Sequence, residues 1–132
     1  MARPLLLAGG ILLGLAAVLL VGRRALLDVV EVDGGSMAPA LWPGDRLVVE
    51  ALSYRSRPPR VGEIVLAHDP RLASRELVKR VTAVDPVAGS VSLAGDAPEA
   101  STDSRTFGAV ALELVRWRVV GRYWPLRHTL SA

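Results

Sequence analysis

An uncharged apolar run near the N-terminus constrains the fold of this chain more than any other feature. It extends from Pro4 to Gly22 and is followed directly by Arg23 and Arg24. An α-helix rises about 1.5 Å per residue, so as a helix the run would be roughly 28 Å long, close to the thickness of a bilayer core. The run therefore predicts a transmembrane helix over residues 4–22, in a single-pass protein of the cell membrane with the lipid bilayer as a partner.

Two other interpretations of this run are weaker. As a buried helix of a soluble protein, it would need a larger domain around it than the remaining residues supply. As a cleaved export signal, it lacks a small-x-small cleavage site placed cleanly between the end of the run and Arg23. Arginines flank both ends, Arg3 on one side and Arg23 and Arg24 on the other, so the positive-inside rule leaves the orientation in the membrane undecided.

The rest of the chain, residues 25–132, predicts one domain of short β-strands. Its apolar runs are rich in branched residues, and turn residues such as the Pro58-Pro59 pair separate them. The predicted strands are Val29–Val32, Leu47–Val49, Ile64–Ala67, Leu77–Val84, Val91–Leu93 and Val115–Val120. The expected fold class is mainly β, a coiled or barrel-like domain that follows one N-terminal helix.

Charge and cysteine content narrow the function classes. The chain has no cysteine, which excludes disulfides and thiolate zinc sites, and no acidic or histidine cluster has metal-ligand spacing. The formal net charge of +3 comes from dispersed arginines without a basic and aromatic patch. We therefore expect anionic lipid rather than nucleic acid as a partner, and neither a metal nor another cofactor.

Lysine occurs only once, at position 79, in a chain with fifteen arginines. Arginine stays protonated in proteins, whereas a lysine in an apolar site can lose its proton and act as a base. A single lysine in an arginine-rich chain therefore indicates a need for an amine. The apolar neighbours Leu77, Val78 and Val81 predict that Lys79 points inward from a strand, which makes it the candidate general base.

The candidate nucleophile is Ser36, which follows Gly34 and Gly35 and precedes a Pro-Gly-Asp turn at residues 43–45. Two glycines allow a tight backbone turn that leaves the hydroxyl accessible. A hydroxyl is a weak nucleophile and needs an adjacent base. A Gly-Gly-Ser loop without chemistry is the alternative, and the unique lysine favours the catalytic interpretation.

A serine-histidine-aspartate triad of Ser36, His68 and Asp69 is a rival arrangement. Adjacent residues on a strand point to opposite faces, so Asp69 is badly placed to orient His68. We expect His68 to be a turn residue. The second histidine, His128, lies close to the C-terminus.

Four ordered segments within residues 29–108 resemble the motif boxes of bacterial signal peptidase I. They are the nucleophile box Gly35-Ser36-Met37 with Pro39, Leu41 and Gly44-Asp45, the strand Val61–Val65, the base box Val78–Val81, and the final box Gly95-Asp96 with Ser101–Arg105 and Gly108. The resemblance implies a coiled β-barrel catalytic domain that acts as a serine endopeptidase. Its expected substrate is a precursor protein with an N-terminal leader or pro-peptide.

The resemblance also implies a role for each matching residue. Ser36 would be the nucleophile of a Ser-Lys dyad, and its backbone amide would stabilise the oxyanion. Lys79 would be the general base, and Ser101 would orient the lysine amine. Asp103 and Arg105 would form a structural pair that supports the site.

Three departures from the family pattern affect details of the site. Gly34 stands where some members have a serine that donates to the oxyanion, and one such donor contributes about 2.7–4 kcal/mol. Ala97 replaces an asparagine of the final box, and residues 82–85 lack the usual glycine-rich continuation after the base box. The short spacing between the last two boxes implies that the additional cap domain of larger signal peptidases is absent.

Three functions are compatible with these residues. The first is a membrane-tethered endopeptidase that removes leaders from exported proteins. The second is a maturation protease with one client, because residues 103–108 and 121–125 resemble the nickel superoxide dismutase maturation proteases. The third is a catalytically silent, membrane-anchored β-domain that serves as a binding module, which leaves Ser36 and Lys79 unexplained.

Overall fold

The computed structural model describes residues 3–125, apart from the side chains of residues 3–5 and 23–25. One long helix, α1 (Arg3–Leu26), precedes seven strands. These are β1 (Leu27–Glu31), β2 (Arg46–Glu50), β3 (Ile64–Asp69), β4 (Leu72–Asp85), β5 (Ser90–Ala94), β6 (Val110–Ala111) and β7 (Val115–Trp124). Two four-residue helices, α2 (Ser53–Ser56) and α3 (Ser104–Phe107), and two 3-10 turns, Pro98–Ala100 and Leu112–Leu114, lie between strands.

The mainly β class is confirmed, and each predicted strand coincides with or overlaps an observed one. The seven strands form one antiparallel sheet in the order β1-β2-β7-β3-β4-β5-β6. The order is open, with β1 and β6 at its two edges, so the closed barrel expected from the sequence is not observed within residues 3–125. Register shifts interrupt the pairing of β2 with β7, of β3 with both of its neighbours, and of β4 with β5. Such bulges bend and coil a sheet.

Helix α1 contains the apolar run of the N-terminus. Its large apolar side chains are 56–74% exposed: Leu6, Leu7, Ile11, Leu12, Leu13, Leu15, Val18, Leu19, Leu20 and Val21. Within residues 3–125, no helix is both long and apolar enough to cross a membrane. The span predicted for residues 4–22 is therefore not confirmed.

Two clusters of buried residues form most of the core, and the smaller one contains Met37, the residue next to Ser36. The larger cluster combines buried residues of strands β3 to β7: Val65, Ala67, Val81, Val91, Leu93, Val110 and Val115. The smaller cluster consists of Val32, Met37, Leu41 and Leu47. Met37 is only 1% exposed, so burial of the residue next to Ser36 anchors the loop that carries the candidate nucleophile.

Candidate active site

Ser36 lies on the irregular connection between β1 and β2. Backbone hydrogen bonds close this connection at its base, from the Val32 N–H to the Asp45 carbonyl at 2.8 Å and from the Gly44 N–H to the Val32 carbonyl at 2.7 Å. Gly44 has a φ of +87°, a conformation that glycine adopts without strain. The buried Met37 and the closed base hold the loop from two sides, and Ser36 stays partly exposed between them.

Lys79 points into the protein from β4, as its neighbours predicted. It is 4% exposed, and Leu77 and Val81, which share its face of the strand, are buried as well. Its Nζ donates a hydrogen bond to the Ser101 Oγ at 3.0 Å. The structure thus brings together two predicted site residues that lie 22 positions apart in the chain.

The Ser101 hydroxyl has a fixed hydrogen-bond direction. It donates its one proton to the Asp103 Oδ2 at 2.6 Å, and it accepts from the Lys79 Nζ and, at 3.2 Å, from the Gly95 N–H. A hydroxyl has one proton to donate, so Ser101 can only accept from the lysine. A neutral Lys79 amine held in this way keeps its lone pair available for another proton donor.

Asp103 is held as a buried carboxylate. It is 1% exposed, and its Oδ1 accepts from the Arg105 N–H at 3.1 Å and from the Arg105 Nε at 2.9 Å. Its Oδ2 accepts from the Arg105 Nη2 and from the Gly95 N–H. The hydrogen bonds from Arg105 hold the pKa of Asp103 well below its usual range, so the carboxylate stays ionised. The predicted Asp103–Arg105 pair is present, and Asp103 also caps the N-terminus of α3.

The surroundings of Lys79 favour its neutral form. Burial lowers the pKa of the amine below its ordinary value, and this effect exceeds the attraction of Asp103, which acts in the opposite direction. The positive charges of Arg105 and Arg75 lower the pKa further. More of the amine is therefore available as a base near neutral pH than in an exposed lysine.

Gly95 and its neighbours join the loop of Ser36 to the segment of Ser101. The Ala97 N–H donates to the Ser36 carbonyl at 2.8 Å. A Cβ at Gly95 would lie 2.6 Å from the Ser36 carbonyl oxygen, and it would overlap the Ser101 side chain. The Gly95-Asp96 motif was recognised in the sequence, but this packing role was not, because only the fold brings the three segments together.

An ion pair between Arg80 and Asp96 also holds the loop that contains Gly95. Arg80 forms a fork on Asp96, with Nε–Oδ1 and Nη2–Oδ2 distances of 2.9 and 2.7 Å. The Arg80 Nη1 also donates to the Gly62 carbonyl at 2.8 Å. Lys79 and Arg80 are adjacent on β4, so their side chains point to opposite faces of the strand. Arg80 holds the loop that contains Asp96, and Lys79 points into the site.

A cavity of about 550 Å³ opens at these residues. Ser36 and Lys79 both line it, together with Ala100 and Thr102. Its walls are the end of β1 with the following loop, residues 30–34, and residues 74–79 of β4. Within the described chain, β1 pairs only with β2, and β4 pairs with β5 only from Arg80 onward. Segments of two strands therefore line the cavity, and each of these segments has one edge without a partner strand in the described chain.

The rival triad is not assembled. His68 lies within β3, opposite Glu76 of β4, rather than in the turn expected from the sequence, and it does not line the cavity of Ser36. Both oxygens of Asp69 accept hydrogen bonds from Arg71. His128 lies outside the described residues.

Comparisons with known proteins match this chain to one protein family and to several named proteases. Residues 5–86 match the family described as signal peptidase, peptidase S26. Mitochondrial ATP-independent inner membrane protease subunit 1a of Arabidopsis thaliana is 32% identical over 77% of this chain and 73% of its own length. Mitochondrial inner membrane protease subunit 1 of Schizosaccharomyces pombe is 32% identical over 80% of this chain and 79% of its own length. A probable signal peptidase I-1 of Synechocystis is 42% identical over 40% of this chain and 31% of its own length.

Proposed function

Because this chain belongs to the signal peptidase family, peptidase S26, we propose that it is a membrane-associated serine endopeptidase that removes N-terminal leaders or pro-peptides from precursor proteins. The observation that carries the proposal is the buried hydrogen bond from Lys79 to Ser101, at 3.0 Å, in a cavity that Ser36 also lines. A binding module would have no use for a buried lysine amine that is directed by a serine and an aspartate.

In this mechanism, Ser36 is the nucleophile and Lys79 the general base. The neutral amine takes the Ser36 proton as the hydroxyl oxygen attacks the scissile carbonyl, which forms the tetrahedral intermediate. The protonated amine then gives that proton to the leaving amine, and an ester to Ser36 forms. Water, activated by the same amine, hydrolyses the ester.

Stabilisation of the oxyanion comes from the backbone of the nucleophile loop. The Ser36 N–H is the proposed donor, because it belongs to the residue that attacks the carbonyl. Gly34 supplies no side-chain donor, and a Cβ there would meet no atom within 4 Å. The space beside Gly34 is therefore open to a second donor from the substrate or from water.

The form of the substrate follows from the two unpaired strand edges. An extended peptide between residues 30–34 and residues 74–79 would complete backbone hydrogen bonds on both sides. Such pairing places a peptide carbonyl next to Ser36 largely independently of side-chain identity. A leader or pro-peptide, which is extended around its cleavage site, has the required geometry.

Peptide cleavage by the purified full-length chain in detergent tests this function. We expect cleavage of leader peptides by the parent chain, no cleavage by Ser36→Ala, and a smaller loss for Ser101→Ala than for Ser36→Ala, since Ser101 positions the base without reacting. Mass spectrometry of the products identifies the cut. Activity that persists in Ser36→Ala would contradict the proposal, and an equal or greater loss in Ser101→Ala would show that the roles are wrongly assigned.

The same assay separates the two protease hypotheses. A general leader peptidase should cut several export leaders at comparable rates. A maturation protease with one client, such as the nickel superoxide dismutase precursor suggested by the sequence, should cut one pro-peptide and leave the others intact. The catalytically silent module would leave every peptide uncut, in the parent chain as in Ser36→Ala.

Membrane association is the proposed role of α1. The relatives from Arabidopsis thaliana and Schizosaccharomyces pombe are named as inner membrane proteases, and the apolar side chains of α1 are largely exposed. We expect the full chain to float with anionic lipid vesicles in a density gradient, and a chain that begins at Leu27 to stay at the bottom. Flotation of both chains, or of neither, would remove α1 as the membrane-binding element.

A further inference from the structure

Arg71, in the turn between β3 and β4, donates three hydrogen bonds to the carboxylate of Asp69. Its backbone N–H and its Nε both donate to the Asp69 Oδ1, at 2.8 and 3.0 Å, and its Nη2 donates to Oδ2 at 2.8 Å. Asp69 is 2% exposed, so its buried carboxylate holds the guanidinium in one orientation. The plane of the arginine is therefore fixed at the tip of the β3–β4 hairpin.

The fixed guanidinium lies over an aromatic ring of α3. Its central carbon is 5.1 Å from the centroid of the Phe107 ring, within the range of a cation–π contact. Phe107 packs in turn against the larger core cluster, and its N–H donates to the Asp103 carbonyl at 3.0 Å. The hairpin tip thus rests on the short helix that begins at Asp103.

Strand β4 is consequently attached to residues 101–107 at two points. One is the contact of Arg71 with Phe107 at the hairpin tip, and the other is the hydrogen bond from Lys79 to Ser101. Between them lie residues 72–78, whose second edge has no neighbouring strand in the described chain. Part of that edge, residues 74–78, forms one wall of the cavity. A strand segment paired on one side only needs a further attachment to hold its position.

We propose that Arg71 is a positioning residue that holds the peptide-binding edge of β4 against α3. The inference rests on the proposed peptidase function. Because Lys79 keeps its own bond to Ser101, loss of the Arg71 contact should loosen the wall of the cavity and leave the base in place. The expected consequence is weaker peptide binding without a change in the chemical step.

Arg71→Met and Phe107→Leu, alone and combined, test this inference by the separate effects on KM and kcat. Each single variant should raise KM about threefold to fivefold, the size expected for a partly exposed cation–π contact. Each should leave kcat within about twofold, because the change lies outside the reacting groups. The double variant should be no worse than the poorer single one, since both changes remove the same contact. Peptide affinity in a Ser36→Ala background should fall by the same factor, so the result does not depend on turnover.

The chain offers a closely matched control in Arg57. This arginine also hydrogen-bonds to a carboxylate, Glu63, and lies 5.6 Å from the centroid of an aromatic ring, that of Tyr54. Neither Arg57 nor Tyr54 lines the cavity of Ser36. Arg57→Met should therefore leave KM and peptide affinity unchanged, even if it lowers the melting temperature.

Several results would overturn the inference. They are an equal rise in KM for Arg57→Met, additive effects in the Arg71 and Phe107 double variant, and a loss confined to kcat. If Arg71→Met does not fold because Asp69 is left without its partner, Phe107→Leu still decides the question, as it keeps that ion pair intact. Failure of the underlying function is distinguishable, because the parent chain itself would then neither cleave nor bind the peptide.

Discussion

Replacing Lys79 with arginine is expected to lower kcat for peptide cleavage by about 10²- to 10⁴-fold, the contribution of a well-placed general base. Arginine keeps hydrogen-bond donors at the position but stays protonated, so it cannot supply a neutral amine. Steady-state cleavage of a leader peptide measures the loss. Lys79→Met is the companion variant, since it keeps most of the volume and apolar stem without charge, and it should be equally inactive. Retained activity in either variant would refute Lys79 as the base.

The pH dependence of the parent chain reports on the same amine. Protonated Lys79 cannot accept the Ser36 proton, so kcat/KM should rise with pH through the lysine ionisation and then level off. Burial lowers the pKa of Lys79, and the rise should therefore centre below the ordinary pKa of a lysine. A flat profile across the alkaline range would contradict the assignment.

Gly95→Ala is expected to cause the second large effect. The added Cβ would lie 2.6 Å from the Ser36 carbonyl oxygen and 2.6 Å from the Ser101 Cβ, so it would push apart the segments that carry the proposed nucleophile and the serine bonded to the proposed base. Displacement by about 1 Å near reacting groups costs on the order of 10²-fold in rate. Overpacking should also lower the free energy of unfolding by about 1–3 kcal/mol. Cleavage assays and thermal melting measure the two effects.

Gly121→Ala is the matched control for this substitution. Gly121 lies on β7, where a Cβ would meet no atom within 4 Å, so the change alters backbone entropy without a steric conflict. It should retain parental activity and stability. A Gly95→Ala variant that is as active as Gly121→Ala would mean that Gly95 does not set the spacing between Ser36 and Ser101.

The strands and the inward direction of Lys79 could be predicted because both depend on local patterns. Branched apolar runs with turn residues between them are visible within a few positions of the chain, and a buried strand position follows from the neighbours of Lys79. The two-residue strand β6 and the four-residue helices are too short to show a period, and none of them was predicted. The open strand order could not be foreseen either, because it depends on pairings between distant segments.

Contacts between distant residues set the limits of prediction for the site as well. The approach of Gly95 to Ser36 joins positions far apart in the chain, and so does that of Arg71 to Phe107. Neither contact has a local signature. The pairing of Lys79 with Ser101 was expected only because the motif order resembled a family whose members share it.

The hydrogen-bond direction at Ser101 limits which groups can accept a proton from Lys79 during a reaction cycle. Asp103 is ionised with a lowered pKa, and Ser101 donates its one hydroxyl proton to it. Neither residue can therefore take up a proton that Lys79 has received. If Lys79 is the base, a proton taken from Ser36 passes on to the departing amine of the substrate, and a proton taken from the hydrolytic water passes on to the Ser36 oxygen as the ester breaks. The Ser101–Asp103 network would then orient the lysine amine without taking up a proton itself, and every proton that the reaction moves would stay among Lys79, Ser36, the substrate and water.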